Sequence, residues 1–161
     1  MDAFRAVATG RTLLAFELLL GSGQRIGDVL KMKWSDLEDG GLNVKQGKTG
    51  KPLWVPLTAQ LHAALDATPK RSVFILTNEA ATGPWSYRGA AQAIRKIRAQ
   101  IGALDYDNHA LRYTAAVELL NAGADDDVIA AVPGQSTAMV RHYTRSARQK
   151  VRALKAREIR T

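Results

Sequence analysis

The sequence of 161 residues is 46% hydrophobic and 24% charged, which fits one folded domain with a single core and excludes a disordered or collagen-like chain. It contains no cysteine, which excludes disulfides, thiolate metal ligands and cysteine nucleophiles. No apolar run approaches the roughly 20 residues that span a bilayer, and the N-terminus lacks the pattern of a signal peptide. We therefore expect a soluble, cytoplasmic protein without a membrane partner.

Apolar residues at helical spacing predict two helices at the start of the chain. Residues 11–20 would be apolar around most of a helix circumference, which is typical of a buried helix. Residues 21–23 (Gly-Ser-Gly) interrupt the pattern, and a short second helix is predicted to end near Trp34. The interruption places Gln24 and Arg25 at the start of this second helix.

Alternating apolar and polar residues predict a small antiparallel sheet. The alternation occurs in residues 42–44 and again in residues 53–55, and the intervening residues 46–51 are rich in turn formers. A hairpin is therefore predicted, with Lys48 at or beside its tip. Residues 73–76 (Val-Phe-Ile-Leu) predict a third, buried strand.

Five further helices are predicted from apolar repeats and capping residues. They begin after Thr58, near Ala90, at His109, after Asp125 and at Ser146. Pro133 and Gly134 end the fourth of them, and the last is a basic helix over residues 146–160. The fold class predicted is α+β, mainly helical, with a small three-stranded antiparallel sheet.

The positive charge is concentrated at one end of the chain. The net charge is +8, and residues 141–161 carry +7 of it. A basic segment of this kind favours a polyanion such as nucleic acid, and such binding depends strongly on salt. A solvated basic helix is the alternative, and the charge alone does not separate the two.

Five dispersed side chains have types that fit one reaction. They are Arg25, Lys48, His109, Arg112 and Tyr143. His109 and Arg112 are three residues apart and share a helix face. Two arginines can hold the non-bridging oxygens of a phosphodiester, while a histidine base and nearby cations help a tyrosine attack phosphorus. A lysine on a hairpin can then protonate the departing 5′ oxygen, so the scheme requires no metal and no cofactor.

Four motifs, in this order along nearly the whole chain, resemble those of the tyrosine recombinases, or phage-type integrases. They are GSGQRIGDVL at residues 21–30 with its continuation to Leu37, KTGK at 48–51 followed by VPL at 55–57, HALRYTAA at 109–116, and MVRHYTR at 139–145. The resemblance implies a catalytic domain of that fold, which cleaves and rejoins double-stranded DNA through a 3′-phosphotyrosyl link without ATP or metal. It implies a homo-tetramer on DNA, with the C-terminal helix docked on a neighbouring protomer; a loosely attached basic tail is the alternative.

The resemblance also implies residue roles. Arg25 and Arg112 correspond to the catalytic arginines, Tyr143 to the nucleophile and Asp28 to the acidic partner of Arg25. Lys48 is favoured over Lys51 as the catalytic lysine. The basic residues beside these motifs, Lys51, Arg141 and Arg145, are predicted to bind DNA. Association with the nucleoid follows from a DNA substrate.

Two departures from the family pattern alter these expectations. The family has Gly-His, or tryptophan for that histidine, before the tyrosine; here Gly134 is followed by Gln135, with a spacing about one residue short. The amide of Gln135 can donate to a phosphate oxygen, so reduced activity is expected. His142 directly precedes Tyr143 and is a doubtful substitute. The chain is also expected to be a single catalytic domain, residues 1–161, without the family's N-terminal DNA-binding domain.

Two other interpretations stay open at this stage. A DNA-binding module with a decayed active site would explain the missing histidine. A basic RNA-binding or ribosome-associated helical domain would explain the charged tail, but it leaves Arg25, His109 and Tyr143 unconnected and ranks last.

Overall fold

The computed structural model describes residues 1–160, which form eight α-helices, a 3-10 turn and three short strands. The helices are α1 (Asp2–Val7), α2 (Gly10–Ser22), α3 (Ile26–Val29), α4 (Ala59–Asp66), α5 (Tyr87–Gln100), α6 (Asn108–Asn121), α7 (Asp126–Ala131) and α8 (Thr137–Ile159). The strands are β1 (Leu37–Glu38), β2 (Gly41–Lys45) and β3 (Pro52–Pro56), and the 3-10 turn is Trp34–Asp36. The predicted α+β, mainly helical fold with a three-stranded antiparallel sheet is confirmed. None of the helices within residues 1–160 has both the length and the apolar character that a bilayer crossing requires.

Helix α2 forms the centre of the core. Its Leu14, Phe16, Leu18 and Leu19 are at most 2% exposed, and the helix packs against α4, α5 and α6. Burial on every side is what its apolar circumference predicts. The helix ends at Gly23, whose positive φ of 61° lets its N–H bond the Leu19 carbonyl.

The β2–β3 hairpin lies where the alternation predicts it. Leu42 pairs with Val55 in an antiparallel register, and both side chains are buried on the core face. The turn between the strands carries Lys48, which is exposed. Lys48 therefore lies on a solvent-exposed turn, and the paired strands β2 and β3 below the turn are packed on the core.

The third strand is β1, which pairs with β2, and the prediction of a buried strand at residues 73–76 is wrong. That segment forms only an isolated bridge between Phe74 and Lys33. Its Ile75 and Leu76 are buried in the core. The apolar run therefore reflects packing of an irregular segment, which periodicity alone does not distinguish from a strand.

Helix α3 is shorter than predicted, because it ends at Val29 and does not reach Trp34. Beyond it the chain makes tighter turns, in which the Met32 N–H bonds the Val29 carbonyl three residues back. The Met32 carbonyl accepts from the Ile75 N–H, and Met32 is 3% exposed. Burial of Met32 against the irregular segment thus redirects the chain where a continued helix was expected.

Helix α8 begins at Thr137, nine residues before the predicted start at Ser146. Its cap is Ser136, whose hydroxyl accepts from the Met139 N–H at 3.3 Å. Val140 is fully buried in a second apolar cluster to which α6, α7 and α8 all contribute. Tyr143 therefore lies within a helix packed on the domain.

Candidate active site

A cleft of about 630 Å³ opens between the start of α3, the hairpin turn and helices α5 and α6. Four of the predicted catalytic residues line it, namely Arg25, Lys48, His109 and Arg112. Three further cationic side chains, Lys31, Arg95 and Arg98, also line the cleft. Tyr143 joins this group through a hydrogen bond with His109. Side chains from separate parts of the sequence thus meet around one positively charged opening.

Arg25 lies at the N-cap of α3, two residues after the left-handed Gly23. Its backbone is extended, with φ −72° and ψ 148°, so the residue stands at the junction of α2 and α3. The side chain is half-buried, and its Nη1 atom is buried without a hydrogen-bond partner among the described residues. A buried donor without an acceptor is costly, and an anion in the cleft would satisfy it.

Arg112 is held more tightly and is only 2% exposed. Its Nη1 donates to the Gly23 carbonyl at 2.6 Å, and its Nη2 donates to the Pro133 carbonyl at 2.8 Å. Burial and the nearby positive charge of Arg25 lower the pKa of Arg112 to about 10. The guanidinium therefore stays charged at neutral pH, and two neighbouring cations are fixed where an anion would neutralise their repulsion.

His109 and Tyr143 face each other from helices α6 and α8. The His109 Nε2 and the Tyr143 hydroxyl oxygen are 2.8 Å apart, and the rings meet edge to face at 5.9 Å. Asp107 caps α6 by accepting from the Ala110 N–H at 2.9 Å, which fixes the first turn that carries His109. With its proton on Nδ1, the imidazole accepts from the phenol, which is the geometry of a base beside a nucleophile.

Asp28 connects Arg25's helix to the lysine hairpin. Its Oδ1 accepts from the Gly47 N–H at 2.8 Å, whereas its Oδ2 is buried without a hydrogen-bond partner in the described chain. Lys48 follows Gly47 directly and lines the cleft, while Lys51 is exposed and lies outside its lining. The placement supports Lys48 over Lys51 as the cleft lysine.

Comparison with known proteins identifies the group to which this arrangement belongs. The model of the family described as "Phage integrase family" matches residues 1–150. The chain belongs to the phage integrase family. Integrase of Escherichia phage HK022 is 48% identical over 50 residues, which are 31% of this chain and 14% of that protein.

Solved integrase structures share the fold of this phage integrase family member. A lambda integrase dimer bound to a COC′ core site superposes with a TM-score of 0.71 at 27% identity, covering 88% of this chain and 55% of that one. A lambda integrase tetramer bound to a Holliday junction gives a TM-score of 0.68 at 26% identity, covering 84% and 44%. The chain thus has the fold of a tyrosine recombinase catalytic domain and spans about half the length of these integrase chains.

The two residues considered for the family's second histidine position lie outside the cleft lining. Gln135 follows Gly134 in the turn between α7 and α8, and its Oε1 is buried with no hydrogen-bond partner among residues 1–160. His142 is exposed on α8, with its ring 6.0 Å from that of Tyr143. The Gln135 N–H bonds the Ala130 carbonyl at 3.0 Å, which fixes the turn, and contact of its side chain with a phosphate stays a prediction.

The basic residues of α8 differ in what they contact. Arg141 donates to Asp126 Oδ2 at 2.7 Å, and Arg148 hydrogen-bonds the other oxygen of the same carboxylate. These hydrogen bonds, that of Arg141 first, lower the pKa of Asp126. Arg145 is exposed. Arg141 thus joins α8 to α7, a structural role in addition to the predicted DNA contact.

Sequence reasoning missed the role of two buried amides, one inside the first motif and one just before the KTGK motif. Gln24 directly precedes Arg25, and Gln46 lies two residues before Lys48; they are 2% and 1% exposed. Their position next to the predicted catalytic residues is the signal that could have revealed them. No group of three or more acidic, histidine or cysteine side chains in residues 1–160 is placed to hold a metal ion.

Proposed function

We propose that the chain is the catalytic domain of a site-specific DNA recombinase that cleaves and rejoins double-stranded DNA through a 3′-phosphotyrosyl intermediate. The observation that carries this proposal is the 2.8 Å contact between the Tyr143 hydroxyl and His109 Nε2, beside a cleft that Arg25 and Arg112 line. This placement supports the roles proposed for Tyr143 as nucleophile, for His109 as its base, and for Arg25 and Arg112 as phosphate-binding cations.

The reaction follows from this placement. The Tyr143 oxygen attacks the phosphorus of a backbone phosphodiester while its proton passes to His109 Nε2. Arg25 and Arg112 hold the non-bridging oxygens and stabilise the charge that grows on them. The bond from phosphorus to the 5′ oxygen breaks, and Lys48 gives that oxygen its proton. A free 5′-hydroxyl from a second duplex reverses these steps and rejoins the strands.

Partners follow from the relatives. Lambda integrase has been solved as a dimer on DNA and as a tetramer on a Holliday junction. We propose that this chain also forms a homo-tetramer on DNA. Its proposed substrate is double-stranded DNA, and its proposed location is the nucleoid. The exposed basic residues Lys51 and Arg145, together with Arg141, are proposed to contact phosphates beside the cleft.

The alternative of a decayed, binding-only module is not favoured. Such a module would have no need to keep a phenol within hydrogen-bond distance of a histidine, or to bury a charged arginine beside a second arginine. Gln135 in place of the second histidine changes one predicted phosphate contact, and the other five groups keep the placement described above.

The test uses the whole chain and a pool of nicked duplexes with randomised sequence, in which cleavage releases a short strand and traps the covalent adduct. Protein–DNA adducts that survive denaturing electrophoresis are sequenced, and the modified peptide is identified by mass spectrometry. The proposal expects an adduct on Tyr143, lost in Tyr143→Phe with duplex affinity nearly unchanged. Tyr113→Phe is the matched control, because the Tyr113 ring lies 6.0 Å from that of Tyr143 but its hydroxyl pairs with Ser146. Failure of the wild-type chain to form any adduct, or an adduct that persists in Tyr143→Phe, refutes the proposal.

A further inference from the structure

Two buried glutamine side chains join the lysine hairpin to the body of the domain. The Gln46 Nε2 group donates to Gln24 Oε1 at 2.7 Å and to the Pro133 carbonyl at 2.8 Å. Its Oε1 accepts from the Thr49 hydroxyl at 2.9 Å. Both donors and one acceptor site of a fully buried amide are thus satisfied, and each bond reaches a different part of the chain.

Gln24 extends this network into the turn that precedes α8. Its Nε2 group donates to the Ser22 carbonyl at 3.1 Å and to the Val132 carbonyl at 3.0 Å. Gln24 is 2% exposed and directly precedes Arg25. The paired amides therefore link the junction of α2 and α3, the hairpin and the turn after α7.

The Pro133 carbonyl is shared by this network and the proposed catalytic site. It accepts from Gln46 Nε2 and from Arg112 Nη2, both at 2.8 Å, so its two lone pairs are used by one hairpin residue and one cleft residue. The space beside it is tight, because a Cβ on Gly134 would lie 3.0 Å from Gln46 Nε2. The Gln46 amide therefore anchors the hairpin to the carbonyl that also supports Arg112, while Arg112 has its own bonds to the Gly23 and Pro133 carbonyls.

The base of the hairpin turn depends on the same residue. The Gln46 N–H donates to the Lys51 carbonyl at 3.0 Å, and its carbonyl accepts from the Gly50 N–H at 2.8 Å. The Thr49 hydroxyl bonds the Gln46 side chain. Lys48 itself is exposed. The buried Gln46 therefore fixes the position of the turn that carries the exposed Lys48.

We infer that Gln46 is a positioning residue that holds the Lys48 hairpin in register with the Arg112 cleft through the shared Pro133 carbonyl. The inference rests on the proposed function, because it assigns to Lys48 the proton given to the 5′ oxygen. Gln46 does not contact the DNA. Loss of the Gln46 amide moves the proton donor Lys48, and it leaves the nucleophile Tyr143 and its base His109 in place.

A change of leaving group separates this role from a general structural one. In a duplex whose scissile 5′ bridging oxygen is replaced by sulfur, the phosphorus–sulfur bond breaks and the sulfur leaves as a thiolate, which needs no proton from Lys48. The substitution Gln46→Met keeps the side-chain length and removes every hydrogen bond of the amide. It is expected to slow adduct formation about 10- to 100-fold on the ordinary duplex recovered from the adduct pool. On the sulfur-containing duplex it is expected to react within about threefold of wild type, as Lys48→Ala does.

The matched control is Gln60→Met, the same substitution at an exposed glutamine on α4, which is expected to react as wild type on both duplexes. Thr49→Val removes the hydroxyl that donates to Gln46 at 2.9 Å and accepts from the Lys51 N–H at 3.4 Å, and serves as the milder variant if Gln46→Met does not fold. It is expected to show the same rescue by sulfur with a smaller defect. Equal slowing on both duplexes, or no slowing on either, overturns the inference.

Hydrogen exchange tests the coupling without activity, and therefore also if the proposed function fails. In Gln46→Met the Gly50 N–H is expected to exchange about tenfold faster than in wild type, because the base of the turn loses its buried anchor. The Ala90 N–H in α5 is expected to be unchanged. Unaltered exchange at Gly50 overturns the inference independently of any cleavage result.

Discussion

Gly134 is the position where a single added methyl group tests the packing behind the site. Its φ is +64°, in the left-handed region, and it directly follows the carbonyl that Arg112 and Gln46 share. A Cβ there would overlap a methyl group of Leu53 and would lie 3.0 Å from Gln46 Nε2. The Leu53 methyl is the end of a half-buried side chain and can move, whereas the Gln46 amide is held by two donated hydrogen bonds.

Two effects contribute to the expected cost of Gly134→Ala. The left-handed conformation costs a non-glycine residue about 1–2 kcal/mol. Displacement of Gln46 and Leu53 adds about 1–2 kcal/mol, the lower part of the range for overpacked sites. The control is Gly102→Ala, because Gly102 has φ +68° and its Cβ would meet nothing within 4 Å. Gly102→Ala therefore pays the conformational cost alone.

Urea denaturation of both variants and the wild type measures the difference. The free energy of unfolding is expected to fall by about 1–2 kcal/mol more in Gly134→Ala than in Gly102→Ala, at an unchanged m-value. Each kcal/mol corresponds to a decrease of about 2–4 °C in Tm. Gly134→Ala is also expected to slow adduct formation, since the added Cβ displaces Gln46 and with it the hairpin that carries Lys48. Equal losses of stability in the two variants would refute the packing argument.

Two further predictions concern helix α8 and the turn before it. Asp126→Asn keeps one acceptor but removes the charge that Arg141 and Arg148 share, and is expected to cost about 1 kcal/mol at pH 7 in urea denaturation. Because the folded pKa of Asp126 is lowered, its contribution is full above the unfolded pKa near 3.9 and is lost as pH falls through the folded value. The difference in stability from wild type should therefore narrow as the pH falls, and a difference that stays constant down to the acid transition contradicts this. Gln135→His restores the family's histidine and is expected to raise the rate of adduct formation about tenfold or more in single-turnover assays, with Gln135→Ala as the comparison. An unchanged rate in Gln135→His would mean that residue 135 does not make the phosphate contact predicted for the family's second histidine.

The sheet shows how far local sequence signals reach. The β2–β3 hairpin was predicted correctly because its alternation and its turn agree. The third strand was assigned to residues 73–76, although Asp39 and Gly40 have φ of 50° and 73° and join β1 to β2. An Asp-Gly pair is a strong hairpin signal, but two flanking strand residues on one side were too few to register as a pattern. Pairing with β2, rather than local preference, defines that strand.

The structure brings the predicted site residues Arg25, Lys48, His109 and Arg112 to one cleft and Tyr143 to His109, whereas the buried amides that support them were not predicted. Motif residues such as Arg25 and His109 are recognisable because their chemistry is unusual in combination. Gln24 and Gln46 have no periodicity and no charge, so only their burial in the folded chain gives them a role. The start of α8 was placed too late for a similar reason, since Val140 and Thr144 face α6 and α7, and that packing is a property of the tertiary structure.

The unbroken course of α8 has a mechanical consequence. Tyr143 is followed by sixteen residues of the same helix, which have a length of about 24 Å. Every residue from 152 to 160 is exposed. No hinge separates this projecting end from the phenol among the described residues. A displacement of the exposed far turns would therefore act on the same helix that carries Tyr143.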